Sequence, residues 1–272
     1  MSETGDRYHL GTSDEELARL GFQHQVWAEV TQRLWAQAGF GPGQTLLDLG
    51  CGPGYATLEL SRLVGLTGQV HAVDSASRYT AYLDSRLQTE GAHNVSVHLA
   101  DVQDLPLDDA AVDGAFARWL LCFVKDPKRV CDEVARVLRP GGVFVVWDYF
   151  NYRAVGVFPE REAIRKLFDG YYRSAVAHGG SYDIAQELPG MLIRSGFEID
   201  RLEPISRIGR PGSLTWAWVS GFNVVYLPKL VEGGLMTAAE ADDFRAAWAE
   251  AEADPATIFF SPPMLGIVAR KA

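Results

Sequence analysis

The run TLLDLGCGPGYATLEL, Thr45 to Leu60, constrains this chain more than any other segment. An apolar stretch ends in a turn with glycines at 50, 52 and 54, and residues suited to a helix follow. Glycine accepts backbone torsions closed to other residues and lets the main chain come close to a ligand. The start of the following helix attracts negative charge. The spacing is G-x-G-x-G: Tyr55 stands where the third glycine of a G-x-G-x-x-G dinucleotide fingerprint belongs. No Gly-Lys-Ser/Thr follows to make a phosphate-binding Walker turn. Alone, such a turn is either a tight strand-to-helix connection or a ligand cradle, and its surroundings must discriminate.

Strand-like runs at Thr45–Leu49, Gln69–Val73, Val95–Leu99, Val112–Ala117 and Val143–Trp147 alternate with helical patterns near Tyr55–Val64, Arg78–Glu90 and Pro127–Leu138. Asp126 and Pro127 suit the N-cap and first position of the last of these helices, and RPGG, Arg139 to Gly142, is expected to end it. This alternation predicts a parallel, doubly wound α/β sheet. Upstream, residues 12–40 read as a helix. SDEE at Ser13–Glu16 fits a capping box in which the Ser hydroxyl and the Glu carboxylate both satisfy backbone N–H groups. Leu17, Leu20, Trp27, Val30 and Leu34 then recur at helical spacing. Beyond Trp147, residues 151–194 and 213–254 read as helical, with strands expected at Phe197–Leu202 and Met264–Arg270. The predicted organisation is a helical lid over 1–44, a core over 45–150, a helical cap over 151–194, a core strand over 195–207, a second helical insertion over 208–256 and a last core strand over 257–272. The two insertions are expected to roof the carboxyl edge of the sheet. Removal of residues 1–40 is expected to harm turnover and leave the sheet folded.

The 272 residues carry a formal net charge of −10, which argues against a nucleic-acid substrate needing a basic surface. No apolar run approaches the ~18 residues needed to cross a bilayer, and the polar start MSETGDRYHL does not read as a signal peptide. Cys51, Cys122 and Cys131 lack metal-ligand spacing and fit free thiols in a reducing cytoplasm. A homodimer is the oligomer to expect.

In an open α/β sheet, ligands bind outside the carboxyl ends of the strands at the topological switch point. The second strand ends at Asp74, where a carboxylate can accept from both hydroxyls of a ribose. The third runs out just before Asp101, where one could accept from the exocyclic amine of adenine. Each aspartate alone is equally a cap or a solvated turn residue. At three successive strand ends, the turn and the two acids describe a nucleoside with no need for a pyrophosphate.

The ordered set LLDLGCGPG, VHAVDSA, LADVQDLPL, VDGAFARWLLCFVKDP and VLRPGGVFVVWD resembles the successive motifs of class I S-adenosylmethionine-dependent methyltransferases, over Leu46–Asp148. The resemblance continues weakly through LIRSGFEIDRLE and PMLGIVARK. It implies a Rossmann-like, mostly parallel seven-stranded sheet with a reversed last strand, and S-adenosylmethionine as cofactor. Gly50, Gly52 and Gly54 would meet the methionine part, Asp74 the ribose and Asp101 the adenine, with Asp48, Ser75 and Val102 in the same motifs. YHLGTSDEELARLGFQHQVW looks like the N-terminal lid of some small-molecule members, whose matching Tyr8 and Gln23 positions reach toward the cofactor. Arg118, ending the fourth strand, would orient that lid, meet the methionine carboxylate, or simply pair with an acid.

Methyl transfer is an in-line displacement in which positioning and water exclusion can supply most of the acceleration. A general base is needed only when the nucleophile arrives protonated. By side-chain type the candidates are His24, Asp148 and His178, whose alternative roles are a packed histidine, a strand-end cap and an exposed loop residue. Phe150, Tyr152, Phe158, Phe168, Tyr171, Tyr172, Trp216, Trp218, Phe222 and Tyr226 crowd the insertions. They favour a small, partly aromatic or apolar acceptor, with O, N or C as the methylated atom. No metal is expected, because Asp148 stands without the clustered acids a divalent site needs. Two other classes compete: a protein that binds the sulfonium nucleoside without transferring methyl, and a nicotinamide-dependent oxidoreductase, which the misplaced third glycine disfavours.

Overall fold

A computed structural model describes residues 12–272. Ser13 caps the first helix, α1 (Asp14–Ala38), by accepting a hydrogen bond from the Glu16 N–H at 3.3 Å. The other half of the expected capping box is absent. Glu16 turns its carboxylate to Arg19, which donates Nε–H and Nη2–H at 2.7 and 2.6 Å, and both side chains are buried. Two charges withdrawn from water must pair with each other, and that demand outweighs one exposed backbone N–H.

The core follows as β1 (Thr45–Leu49), α2 (Tyr55–Val64), β2 (Gln69–Asp74), α3 (Ser77–Glu90), β3 (Val95–Leu99), β4 (Val112–Arg118), α4 (Pro127–Val137) and β5 (Leu138–Tyr149). Asp126 caps α4 through the Arg129 N–H, with Pro127 in the first turn. The RPGG segment does more than stop that helix. Leu138 is already extended and pairs with Val112, and the register shifts before Gly114 meets Val143. Next come β6 (Gly156–Phe158), α5 (Glu162–Ala177), α6 (Leu188–Arg194), β7 (Phe197–Ile205), β8 (Ile208–Gly209), α7 (Leu214–Glu232), α8 (Ala238–Ala253), β9 (Ile258–Phe260) and β10 (Met264–Lys271).

Seven strands form one sheet in the order β3-β2-β1-β4-β5-β10-β7, with β10 antiparallel to both neighbours and β1 to β5 parallel. This is the mostly parallel sheet with a reversed last strand. The order reverses between β1 and β4, so a crevice opens at their carboxyl ends. A second, antiparallel sheet of β6, β9 and β8 was not anticipated. It places residues 258–260 with the cap insertions rather than with the final core strand.

The helix α1 is also more than a lid. Trp27, Leu34 and Trp35 are fully enclosed in the main apolar core, and Trp35 meets Phe116 of β4 edge-on at 5.1 Å. Only its first half reaches the crevice, through Arg19, Leu20 and Gln23. The three cysteines are free and buried. Among the described residues, no helix is long and apolar enough to cross a membrane, and no cluster of three or more His, Cys, Asp or Glu could hold a metal ion.

Candidate active site

The carboxyl ends of β1 to β4 open into a cavity of about 850 Å³, roofed by residues of α5, α7 and the segment after β5. On its floor lie Gly50, Gly52, Asp74, Ser75, Asp101, Val102 and Arg118. Gly52 has φ +53°, and a Cβ built there would meet nothing within 4 Å, so the main chain presents a bare face to the cavity. Gly54 differs. It lies off the cavity with φ +81°, and a Cβ would fall 2.1 Å from Leu83 Cδ1. Its glycine serves the close packing of the turn against α3.

Asp74 organises the turn. Its Oδ2 accepts from the Gly52 N–H and its Oδ1 from the Ala76 N–H, each at 2.8 Å. The carboxylate lines the cavity beside these bonds, where ligand hydroxyls can approach it. Asp101 is exposed at the rim and accepts from the Gln103 N–H at 2.9 Å. The residues present therefore fit a methionyl nucleoside: bare backbone for the amino-acid end, acids at successive strand ends for ribose and base, and the buried apolar Val102 beside them. Asp74→Ala is expected to weaken binding of S-adenosylhomocysteine by ~1–3 kcal/mol, the cost of removing a charged acceptor. Calorimetry on the folded variant reads this directly, and unchanged affinity would remove Asp74 from the site.

Behind the floor lies a polar chain. Arg118 donates to Thr31 Oγ1 at 3.1 Å and contacts His24 Nδ1 at 3.2 Å. Arginine can only donate, so Nδ1 accepts and the His24 proton sits on Nε2, 3.0 Å from Glu59 Oε1. His24 thus lies off the cavity, as a support for Arg118. Burial draws the Arg118 guanidinium down to about 10, against the pull of Asp48 and Glu59, and it stays charged at neutral pH. Asp48 is also buried and off the cavity, accepting from Thr57 Oγ1 at 2.6 Å. Burial raises its carboxyl to about 7, opposed by the Thr57 bond and the Arg118 charge. A raised native pKa favours the protonated form. This contribution to stability is full below the ordinary value of 3.8 and is lost as pH rises through about 7. Asp48→Asn is therefore expected to gain stability relative to the parent between pH 4 and pH 7. Paired urea melts across that window check it, and a pH-independent difference would refute the linkage.

Of the three candidate bases, the structure brings only His178 to the cavity. It caps the C-terminus of α5 with Nδ1 2.8 Å from the Ser174 carbonyl. A carbonyl only accepts, so Nδ1 donates to it and carries a proton. Asp148 is fully buried and off the cavity. It accepts from the Tyr149 and Cys122 N–H groups at 2.8 and 3.1 Å, and burial lifts it to about 6 against those bonds. Tyr8 lies outside the described residues.

Gln23 sits where floor meets roof. Its Oε1 accepts from Arg19 Nη1 at 2.9 Å and from Trp218 Nε1 at 3.0 Å. Both partners are obligate donors, which fixes the amide orientation. The roof is aromatic. Tyr152, Phe168, Tyr171, Trp218 and Phe222 line it as the composition suggested, but Phe150, Phe158, Tyr172, Trp216 and Tyr226 do not. Sequence reasoning missed Arg19, Trp119, Tyr149, Tyr182 and Phe259, all in the lining. The one available signal was Arg19, three residues after Glu16 on an apolar helix face.

Residues 47–146 match the family described as "Methyltransferase domain". The chain is 32% identical over 173 residues to an uncharacterized 37.1 kDa protein in transposon TN4556 of Streptomyces fradiae, covering 62% of this chain and 48% of that protein. It is 37% identical over 155 residues to the 2-phytyl-1,4-naphtoquinone methyltransferase of Trichormus variabilis, covering 57% and 63% respectively. The chain thus spans about half to three-fifths of the length of these curated relatives. Among solved structures, the [4+2]-cyclase SpnF superposes with a TM-score of 0.60 at 22% identity, covering 89% of this chain and 80% of that one, a likeness of fold.

Proposed function

We propose, from the match of residues 47–146 to the methyltransferase-domain family together with the cradle described above, that the protein is a class I S-adenosylmethionine-dependent methyltransferase and transfers a methyl group to an O, N or C nucleophile of a small, partly aromatic or apolar molecule. One observation carries the reading. A single cavity runs from the glycine turn, Asp74 and Asp101 to a roof of aromatic side chains, so a nucleoside on the floor and an acceptor under the roof share one enclosure. When bound, S-adenosylmethionine supplies an electrophilic methyl group on a sulfonium. Asp74 and Asp101 orient the nucleoside, and Gly52 gives the amino-acid end room against the backbone. Arg118, fixed by Thr31 and His24, places a positive charge at the floor where a carboxylate can be met. The roof excludes water and aligns the acceptor, and His178 Nε2 takes a proton from a nucleophile that arrives protonated.

The enclosure and the net charge of −10 support a small molecule over a nucleic acid as acceptor. The named naphtoquinone methyltransferase relative supports an acceptor with an aromatic part. The buried free thiols accord with a reducing, cytoplasmic setting, and a homodimer is the assembly to test by sedimentation.

Calorimetry is expected to give one-to-one binding of S-adenosylhomocysteine and none of NAD. Incubation with methyl-labelled S-adenosylmethionine and a metabolite extract should then label a small molecule. Binding of NAD alone would overturn the reading. Tight nucleoside binding with no labelled acceptor would point instead to a module that binds the cofactor without transferring methyl.

A further inference from the structure

We infer that the roof of the cavity selects an uncharged, oxygen-bearing aromatic acceptor, held through the hydroxyls of Tyr149, Tyr152 and Tyr182. This deepens the methyl-transfer reading and rests on it, because it concerns the half of the cavity that the cofactor leaves to the acceptor.

The tyrosines around the roof divide into two sets. In the first, every hydroxyl is satisfied by protein: Tyr171 donates to Asn223 Oδ1 at 2.9 Å, Tyr226 and Ser174 share a bond of 2.8 Å, and Tyr172 donates to Asp183 Oδ2 at 3.0 Å. In the second, Tyr149, Tyr152 and Tyr182 all line the cavity, and none of their hydroxyls has a hydrogen-bond partner among the described residues. Tyr152 and Tyr182 are only 6% and 3% exposed. These hydroxyls are not among the fully buried unpartnered atoms, so each opens onto the cavity with its hydrogen-bonding capacity unused, and these three border the space an acceptor would occupy. Burial holds all three phenols above their ordinary range, so they remain protonated and able to donate to a ligand oxygen or accept from a ligand hydroxyl.

Their rings form one cluster, with centroids 5.2 Å apart for Tyr149 and Tyr152, 5.0 Å for Tyr149 and Tyr182, and 4.6 Å for Tyr152 and Tyr182. The chain on either side is pinned. Asp148 holds the Tyr149 N–H, Asp183 holds the Tyr152 N–H at 2.9 Å, and the Cys122 carbonyl takes the Ser181 N–H at 2.9 Å. Groups fixed this way bind without a large ordering cost.

Charge sets the second limit. Among the described residues the two acids of the lining, Asp74 and Asp101, are at the sheet edge, and the roof contributes none. An ammonium acceptor there would meet no counter-ion from these residues. Of the cations that line the cavity, Arg19 lies against Phe222 of the roof and is bound in a two-bond fork to the buried Glu16, so an anionic head-group gains little from it. Aromatic walls with hydroxyl tips suit a flat, neutral molecule with oxygens at its edge.

The test uses the full chain saturated with S-adenosylhomocysteine, whose binding is measured first and separately. Three probes of matched size are titrated by quenching of tryptophan fluorescence: 2,7-dihydroxynaphthalene, 2,7-dimethylnaphthalene and 2-naphthylmethylamine. The dihydroxy probe is expected to bind at least tenfold more tightly than either of the others. Tyr149→Phe, Tyr152→Phe and Tyr182→Phe keep the rings and should each shrink that preference several-fold, with affinity for the dimethyl probe and for S-adenosylhomocysteine unchanged. Equal or undetectable binding of the dihydroxy and dimethyl probes, preference for the amine, or a preference untouched by all three variants would overturn the inference. Normal nucleoside binding in the same samples would leave the cofactor assignment standing.

Discussion

Deleting residues 1–40 is expected to abolish cooperative folding, because the N-terminal helix is part of the core. Trp27, Leu34 and Trp35 are fully enclosed, and Val26 and Val30 are buried beside them. Burying a large apolar side chain contributes about 1.5–3 kcal/mol. Five such residues therefore rival the whole net stability of a typical domain, about 5–15 kcal/mol. The truncation would also bare the faces of β5 and β10 that α1 covers. Circular-dichroism melts of the truncated chain should show no sharp transition. A cooperative melt with native sheet content would mean that α1 is a detachable cover after all.

The second large effect concerns His178. Its Nδ1–H is committed to the Ser174 carbonyl, and of the three candidate bases it alone belongs to the cavity wall. Positioned general bases contribute roughly 10²–10⁴-fold to rate. His178→Ala is expected to lower kcat with a hydroxyl acceptor by that order, with S-adenosylhomocysteine affinity and acceptor KM little changed. His178→Gln keeps the bulk and a hydrogen bond but removes the base, and should behave the same way. If kcat survives in both variants, the nucleophile reaches the site already deprotonated and needs no base.

The part of the cavity lining that is legible in the sequence is the part written in consecutive residues. Gly50 and Gly52 follow an apolar strand, and Asp74 and Asp101 end the next two, so the order of strands alone assembles the floor. The roof could not be read so directly. Tyr149 ends β5, Tyr152 lies in a short turn after it, Tyr182 is in the loop after α5, and Phe259 is in β9. These side chains meet only through tertiary packing, and no periodicity links them. The small sheet escaped notice for a related reason: strands of two and three residues are too short to show alternation. Glu16 shows the limit of local rules. Its spacing from Ser13 spells a capping box, but burial beside Arg19 redirected its carboxylate. Conversely, His24 and Asp148 had the right chemistry for proton transfer, and their burial behind the wall makes them supports for Arg118 and for the Cys122 turn.

The amide of Gln23 has a consequence for how the two ligands influence each other. Its oxygen is shared by a guanidinium on α1 and an indole on α7, which adds a polar link between two helices that also meet through Trp27 and Trp218 and through Arg19 and Phe222. An occupant that displaces Trp218 must also disturb Gln23 and Arg19, and a ligand that steadies α1 settles the far helix as well. Heterotropic linkage of this kind is reciprocal: whatever factor the nucleoside adds to acceptor affinity, the acceptor returns to the nucleoside, and Gln23→Ala should reduce that factor equally in both directions.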